Sequence, residues 1–407
     1  MGAPGRHSAA ARRLPQRATG LRDRLAGGRS PRPQSRTVMT HADTSVADTD
    51  TAFYTPPELD RRHRPGHVLR LRPAPNLTGA GQSWQLLYSS RDSDGQLIVV
   101  SGTVMAPASG GDLGGSVLVY QPSFHGLGGN CAPSQLLVAG AEPDSAQIRA
   151  ALARGFTVAV VDGEGLGVIG CGPHTFLAGR AAGQVMLDLG RAASRIPALK
   201  AADAPIVLWG YGDGGRAAVS AGILQPSYAP ELDLRGIAAG AVVTDPGKIL
   251  QSLNQGTWAG LGFAALIGLS RAHRHLPLHH VFTEETRRLL ADAEASNRVE
   301  LCERYRHPLG VWCERTDPWN DPIWRVVLAH ELISPTPAPA APLHLYHGDA
   351  DAIVPITMGR SLFHDYRAHG AHVDWREYQA DHFRTARAAT TDVLTRLADD
   401  LTHRAPT

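Results

Sequence analysis

Pro205-Ile-Val-Leu-Trp-Gly-Tyr-Gly-Asp-Gly-Gly215 reads as a buried strand, a tight turn and the first turn of a helix. The unbroken apolar run Ile206–Trp209 suits a strand covered on both faces. Gly210 and Gly214 then bracket position 212 with the spacing of a G-x-S-x-G elbow, where strand and helix approach too closely for larger residues. The centre of such an elbow is the nucleophilic serine; here it is Gly212, which has no oxygen to attack a carbonyl carbon. The turn is intact in pattern, and its reacting atom is missing.

Outward from this turn, strand and helix signals alternate from about Phe53 onward, as in an α/β fold. Trp84–Ser90 and Ile98–Met105 read as an opening antiparallel pair. Ser116–Tyr120, Phe156–Val161, Ile237–Val243 and Leu343–His347 join Pro205–Tyr211 as short buried strands, and His372–Tyr378 reads as a strand near the sheet edge. Helices are expected at Ser145–Arg154, Ala178–Ser194, Gly214–Leu224, Thr357–His369 and Thr385–Leu401. Between Asp245 and Pro335 no buried strand is legible, only a helix at Glu284–Ala295 and the apolar run Trp258–Leu269, which suits either a lipid-facing lid or a core. An insertion of this length between two strands is expected to cap the active-site face of the sheet.

Two loops supply what the elbow needs around it. Leu343-His-Leu-Tyr-His-Gly-Asp-Ala-Asp-Ala-Ile-Val-Pro355 matches the strand-then-loop pattern G-x-x-D-x-x-V-P, with Asp351 as the orienting acid and Asp349 as its neighbour in reserve. Asp381-His382-Phe383 lies between the last strand and the last helix, where the general base falls in the chain order nucleophile, acid, base. Backbone N–H groups of Phe124 and Asp213 are the candidate oxyanion donors. Two other routes to hydrolysis stay open at this level: Asp213 as a carboxylate nucleophile, or a water activated by His382 in the space a serine would fill.

Composition narrows the partners. The first 36 residues carry nine arginines against Asp23 alone; without that stretch the chain has 31 basic and 37 acidic residues, a net charge of −6. A mildly acidic body argues against nucleic acid. The Arg/Pro/Gly-rich segment 1–50 reads as a disordered extension, with an anionic-surface tether as one role and Met39 as an alternative start. No run has the length of a membrane span or the apolar core of a secretory signal, so the compartment stays open. Cys131, Cys171, Cys302 and Cys313 allow two disulfides or four free thiols, and none has metal-ligand spacing. Gly165-Leu-Gly-Val-Ile-Gly170 spells G-x-G-x-x-G, but Cys171-Gly-Pro-His174 follows where a dinucleotide site needs a helix, so no cofactor is expected. The histidines at 273, 275, 279 and 280 read as a surface turn and not as a metal site.

With these motifs in place, the chain resembles the secretory lipase family from about Phe53 to the last helix. The resemblance is carried by Gly126-Leu-Gly-Gly-Asn-Cys-Ala-Pro-Ser134, Asp162-Gly-Glu-Gly-Leu-Gly167 and Gly183-Gln-Val-Met-Leu-Asp188. It implies an α/β-hydrolase fold over 51–407: a mostly parallel central sheet flanked by helices, with a mainly helical cap at about 245–335. Family members hydrolyse triacylglycerols and other esters. Carried across, Asp351 and His382 fill the acid and base positions, while Gly212 stands where the family has serine. Phe124 stands where the oxyanion loop has a small polar residue. The excess of arginine (38) over lysine (2) fits a GC-rich, actinobacterial source. The expectation is a lipase-like protein without efficient turnover, binding lipid or a small ester, with the cap available for peripheral lipid contact.

Overall fold

A computed structural model describes residues 50–402, apart from 75, 76, 78, 110–112, 114, 129, 130 and 200. The arginine-rich extension lies outside the described residues up to position 49. The described chain forms a nine-stranded sheet in the order β1-β2-β3-β5-β4-β6-β7-β8-β9. Its strands are β1 Val68–Pro73, β2 Ala80–Arg91, β3 Leu97–Pro107, β4 Val117–Gln121, β5 Thr157–Val161, β6 Ile206–Tyr211, β7 Leu234–Gly240, β8 Leu343–Gly348 and β9 Val373–Tyr378. The first three pair antiparallel and β3 meets β5 antiparallel; from there to β9 every pairing is parallel.

The central strands are apolar throughout because both faces are covered. In β6, Val207 and Trp209 enter one core while Ile206 and Leu208 enter the other, the period-2 alternation of a pleated strand. The helices are α1 Pro133–Val138, α2 Ser145–Ala153, α3 Gly179–Ser194, α4 Asp213–Tyr228, α5 Pro246–Ser252, α6 Ala259–Ala272, α7 Glu284–Glu294, α8 Arg298–Arg304, α9 Leu309–Trp312, α10 Pro322–His330, α11 Ile356–Ala368, α12 His382–Ala388 and α13 Thr390–Thr402. Residues of α2 and α13 share the first core with α5–α10, whereas α3, α4 and α11 pack into the second. The sheet therefore carries helices on both faces, and all of α5–α10 falls between β7 and β8.

The chain reverses its direction of travel across the sheet between β4 and β6, which lie side by side. In such sheets the crevice beyond the carboxyl ends at that switch is where ligands bind. Phe124 follows β4 and Gly212 follows β6, so topology alone brings the candidate oxyanion loop to the elbow.

Several expectations need correction. β1 escaped the sequence reading because Arg70 and Arg72 interrupt a short edge strand, although Leu69 and Leu71 alternate with them. β7 ends at Gly240 and not at Val243, since Ala241 turns to φ +46°. The last helix is two, α12 and α13, divided at Ala389. Of the two readings left open for Trp258–Leu269, the burial of every α6 residue but Arg271 supports core, while Trp258 just before the helix stays half-buried.

The disulfide expectation fails. All four cysteines are free thiols. Cys131 and Cys171 pack into separate small apolar clusters, with Leu166 and with Val168 respectively. Burial pushes the Cys131 thiol up to about 11 and that of Cys313 to about 12, so both stay protonated and unreactive. Finally, His273 is no surface residue: it is buried, with Nε2 3.0 Å from Glu331 Oε1.

Candidate active site

Gly212 is the residue between β6 and α4, with φ +61° and ψ −117°. An L side chain there is strained, at a cost of about 1–3 kcal/mol, which glycine avoids. The glycines around it answer to a different constraint. A Cβ at Gly210 would collide with the Gly214 carbonyl, one at Gly214 with the Gln121 carbonyl, and one at Gly215 with the Gly240 carbonyl. At Gly212 an added Cβ would meet only His382, at 3.6 Å from Nε2 and 3.7 Å from Cε1, which is ordinary contact. Backbone approach thus forces the flanking glycines, whereas position 212 has room for a side chain. A serine hydroxyl carried on that Cβ would be within hydrogen-bond reach of Nε2.

His382 opens α12, with its neighbour Asp381 accepting from Arg384 N at 2.9 Å to cap that helix. Its Nδ1 lies 2.7 Å from Asp351 Oδ2. The Asp351 side chain is wholly buried on the loop after β8, and its Oδ1 accepts from the N–H groups of Ile353 and Val354 at 2.9 Å each. Burial alone would raise this carboxyl. Hydrogen bonds from His347 and His382, with the charge on His382, override that and hold it well below the usual carboxylate range. The acid is therefore ionised and fixes the imidazole with Nε2 toward Gly212, as in an acid–base pair awaiting a nucleophile. Asp349 is elsewhere: its Oδ1 accepts from Ala380 N at 3.1 Å.

His347 was not singled out in the sequence, though it stands directly before Gly348. It is fully buried, with Nε2 2.9 Å from Val354 O and 3.4 Å from Asp351 Oδ2, and so props the acid from behind. Tyr211 packs its ring 4.8 Å from that of His382.

Asp213 turns away from the base. Its Oδ1 accepts from Leu177 N at 3.3 Å and its Oδ2 is 3.6 Å from His174 Nε2, while His174 Nδ1 donates to Glu164 O at 2.8 Å. The backbone N–H of Asp213, at the first position of α4, has no partner within its helix. The Phe124 loop is pinned on either side. Ser123 N donates to Asp144 Oδ2 at 3.3 Å, and His125 Nε2 lies 2.9 Å from Glu142 Oε1. The Phe124 ring stacks on Phe176 at 3.9 Å and narrows the site.

Phe124, Gly212, Asp213 and His382 line one cavity of about 50 Å³, walled by Phe176, Leu253 and Leu261. That is far below the several hundred cubic ångströms of a ligand pocket but enough for a water. An outer groove of about 700 Å³, lined by Trp258, Val299, Cys302 and Arg306 among others, shares Arg298 and Phe383 with it. Among the described residues, His273, His330 and Glu331 bring potential ligand atoms within 4.8 Å of one another. The Glu331 carboxylate is already engaged by His273, by Arg216 Nη2 at 3.0 Å and by Gly179 N at 2.9 Å.

The profile of the secretory lipase family matches residues 132–406. The chain is 29% identical to Lipase A of Arthroderma benhamiae over 361 residues, spanning 82% of this chain and 75% of that protein. It is 30% identical to Lipase 2 of Candida albicans, over 75% of this chain and 70% of the relative. The trichothecene C-3 esterase of Fusarium sporotrichioides is 28% identical over 79% and 76% of the two chains. Candida antarctica lipase A, in the crystal structure of its closed state, superposes with a TM-score of 0.78 at 25% identity, covering 87% of this chain and 86% of that one. An elbow at the switch point, an acid and a base in family order, and a match across more than half of the sequence agree: the chain belongs to the secretory lipase family.

Proposed function

We propose that this family member binds a lipid or ester-like ligand at a lipase site that no longer turns esters over efficiently. One observation carries the reading: the Asp351–His382 pair is complete and aimed at Gly212, a position with space for a hydroxyl and no atom to supply it. The base has nothing to deprotonate, so no acyl-enzyme forms. The remaining N–H donors and binding contacts of such a site give an acceleration of about 10³–10⁴ over water, orders of magnitude short of an intact triad.

A slow water-based route is the second reading, and the cavity beside His382 supports it, having space for one water. Catalysis by Asp213 fares worse, because both its carboxylate oxygens face the Leu177–His174 side and neither is bonded to His382. The test is hydrolysis of p-nitrophenyl butyrate by wild type, His382→Ala and Asp213→Asn. Wild type should run within about tenfold of His382→Ala, as expected where the base lacks its partner. Robust wild-type turnover abolished by His382→Ala would overturn the proposal, and its loss in Asp213→Asn would identify the carboxylate instead.

A further inference from the structure

Arg298 stands out among the charged residues around the site. It is the first residue of α8, and its N–H donates to His125 O at 2.8 Å, which ties it to the loop that carries Phe124. Its side chain lines both the inner cavity and the outer groove. The guanidinium sits 4.7 Å over the Phe383 ring and forms no ion pair among the described residues. Arg191 is neutralised by Asp188 and Glu231, and the more deeply buried Arg216 by Glu331. The half-buried Arg70, Arg91 and Arg271 lack an ion pair among the described residues but donate to backbone carbonyls. Asp144, the carboxylate whose charge acts on Arg298, is already held by Tyr120 and Ser123. Burial pulls this guanidinium below its usual value, which means that its desolvation goes uncompensated. A partly buried cation with five donors and no acceptor costs stability unless a ligand brings the anion.

The groove beside it has the matching character. Trp258, the half-exposed Val299 and Phe383 form its apolar wall. Arg306 and His307 line it as well, and Glu303 is its one acidic lining residue. An apolar trough with a cationic head position fits an anionic chain better than a neutral ester.

From this we infer that the outer groove binds a single-chain amphiphile with a free carboxylate head, its head on Arg298 and its chain along Trp258, Val299 and Phe383. The inference rests on the reading of this protein as a binder of lipid-like molecules, and it names the class: a fatty acid and not a neutral glyceride. The carboxylate would complete the ion pair that Arg298 lacks, beside the space left open at Gly212.

Calorimetric titration of the full chain with laurate and with dodecanol, which share a twelve-carbon chain, tests it. Wild type should bind laurate at least tenfold more tightly than dodecanol, and Arg298→Gln should abolish that preference while leaving dodecanol affinity unchanged. Arg298→Lys should restore part of it, and Arg306→Gln should cost less. Added salt should weaken laurate binding more than dodecanol binding. Equal affinities for the two ligands, a preference that survives Arg298→Gln, or no laurate binding at all would each overturn the inference. Ester turnover separates the two proposals. An active wild type sinks the impaired-lipase reading and leaves the dependence of laurate binding on Arg298 standing, whereas an inactive wild type that ignores laurate does the reverse.

Discussion

The elbow and the acid–base loops are two halves of one site, and they differ in what they retain. On the C-terminal side nothing is missing: Asp351 is buried, ionised and bonded to His382, with His347 and two backbone N–H groups behind it. On the elbow side the backbone features of the turn are present, and position 212 carries no side-chain oxygen. The strand, the φ of +61° and the close approaches at 210, 214 and 215 all remain. Geometry that serves the fold and geometry that serves the chemistry are thus separable at this turn. Gly210, Gly214 and Gly215 hold strand, helix and neighbouring strands together, and Gly212 does not.

The contrast can be broken first at the flanking glycines. Gly214→Ala drives a Cβ into the Gln121 carbonyl, which belongs to a central strand and cannot yield. We expect a loss of more than about 4 kcal/mol or no folded protein, read by urea denaturation. Gly212→Ala meets no such wall and should cost only about 1–3 kcal/mol, from φ alone. Equal losses at the two positions would erase the distinction.

The acid–base half can be sharpened by pH. The Asp351 carboxyl is held below its unfolded value near 3.8, so its contribution to stability is fully present above that value. It is lost as pH falls from about 4 through the depressed folded value. Asp351→Asn removes one partner of a buried pair, and we expect a loss of about 3 kcal/mol at pH 7. The difference from wild type should shrink as the pH is lowered below 4. A difference that stays constant with pH would argue that the pair is not charged. The smallest effect concerns the thiols: with all four cysteines free, a reductant should leave the melting temperature unchanged, and thiol titration of the unfolded, unreduced chain should count four.

Much of this site is local in sequence, which is why it was legible. The apolar run before Gly210 and the spacing of Gly348, Asp351 and Pro355 are contained in single turns. The order of Asp351 and His382 follows from the strand sequence. The parallel strands were found for the same reason, being short apolar runs between helices. What stayed hidden depends on contacts between distant segments. Arg298 acquires its meaning only when α8 docks on the loop after β4, and His273 becomes buried only against Glu331, 58 residues away. The short helices between β7 and β8 have little periodicity to read, and tertiary packing sets their positions. Cys131 and Cys171 stay apart because they pack into different clusters, whereas Cys302 and Cys313 share one and are still unbonded, neither of which a count of four encodes.

We propose that one hydroxyl separates this protein from a working nucleophile. Labelling with a fluorophosphonate, followed by intact mass, tests it most directly, because the probe bonds only to an activated oxygen. We predict that wild type gains no mass, and that Gly212→Ser gains one probe, with the reaction lost again when His382→Ala is added. Stoichiometric labelling of the wild type, or a folded Gly212→Ser variant that stays unlabelled, would show that the missing hydroxyl is not what silences the site.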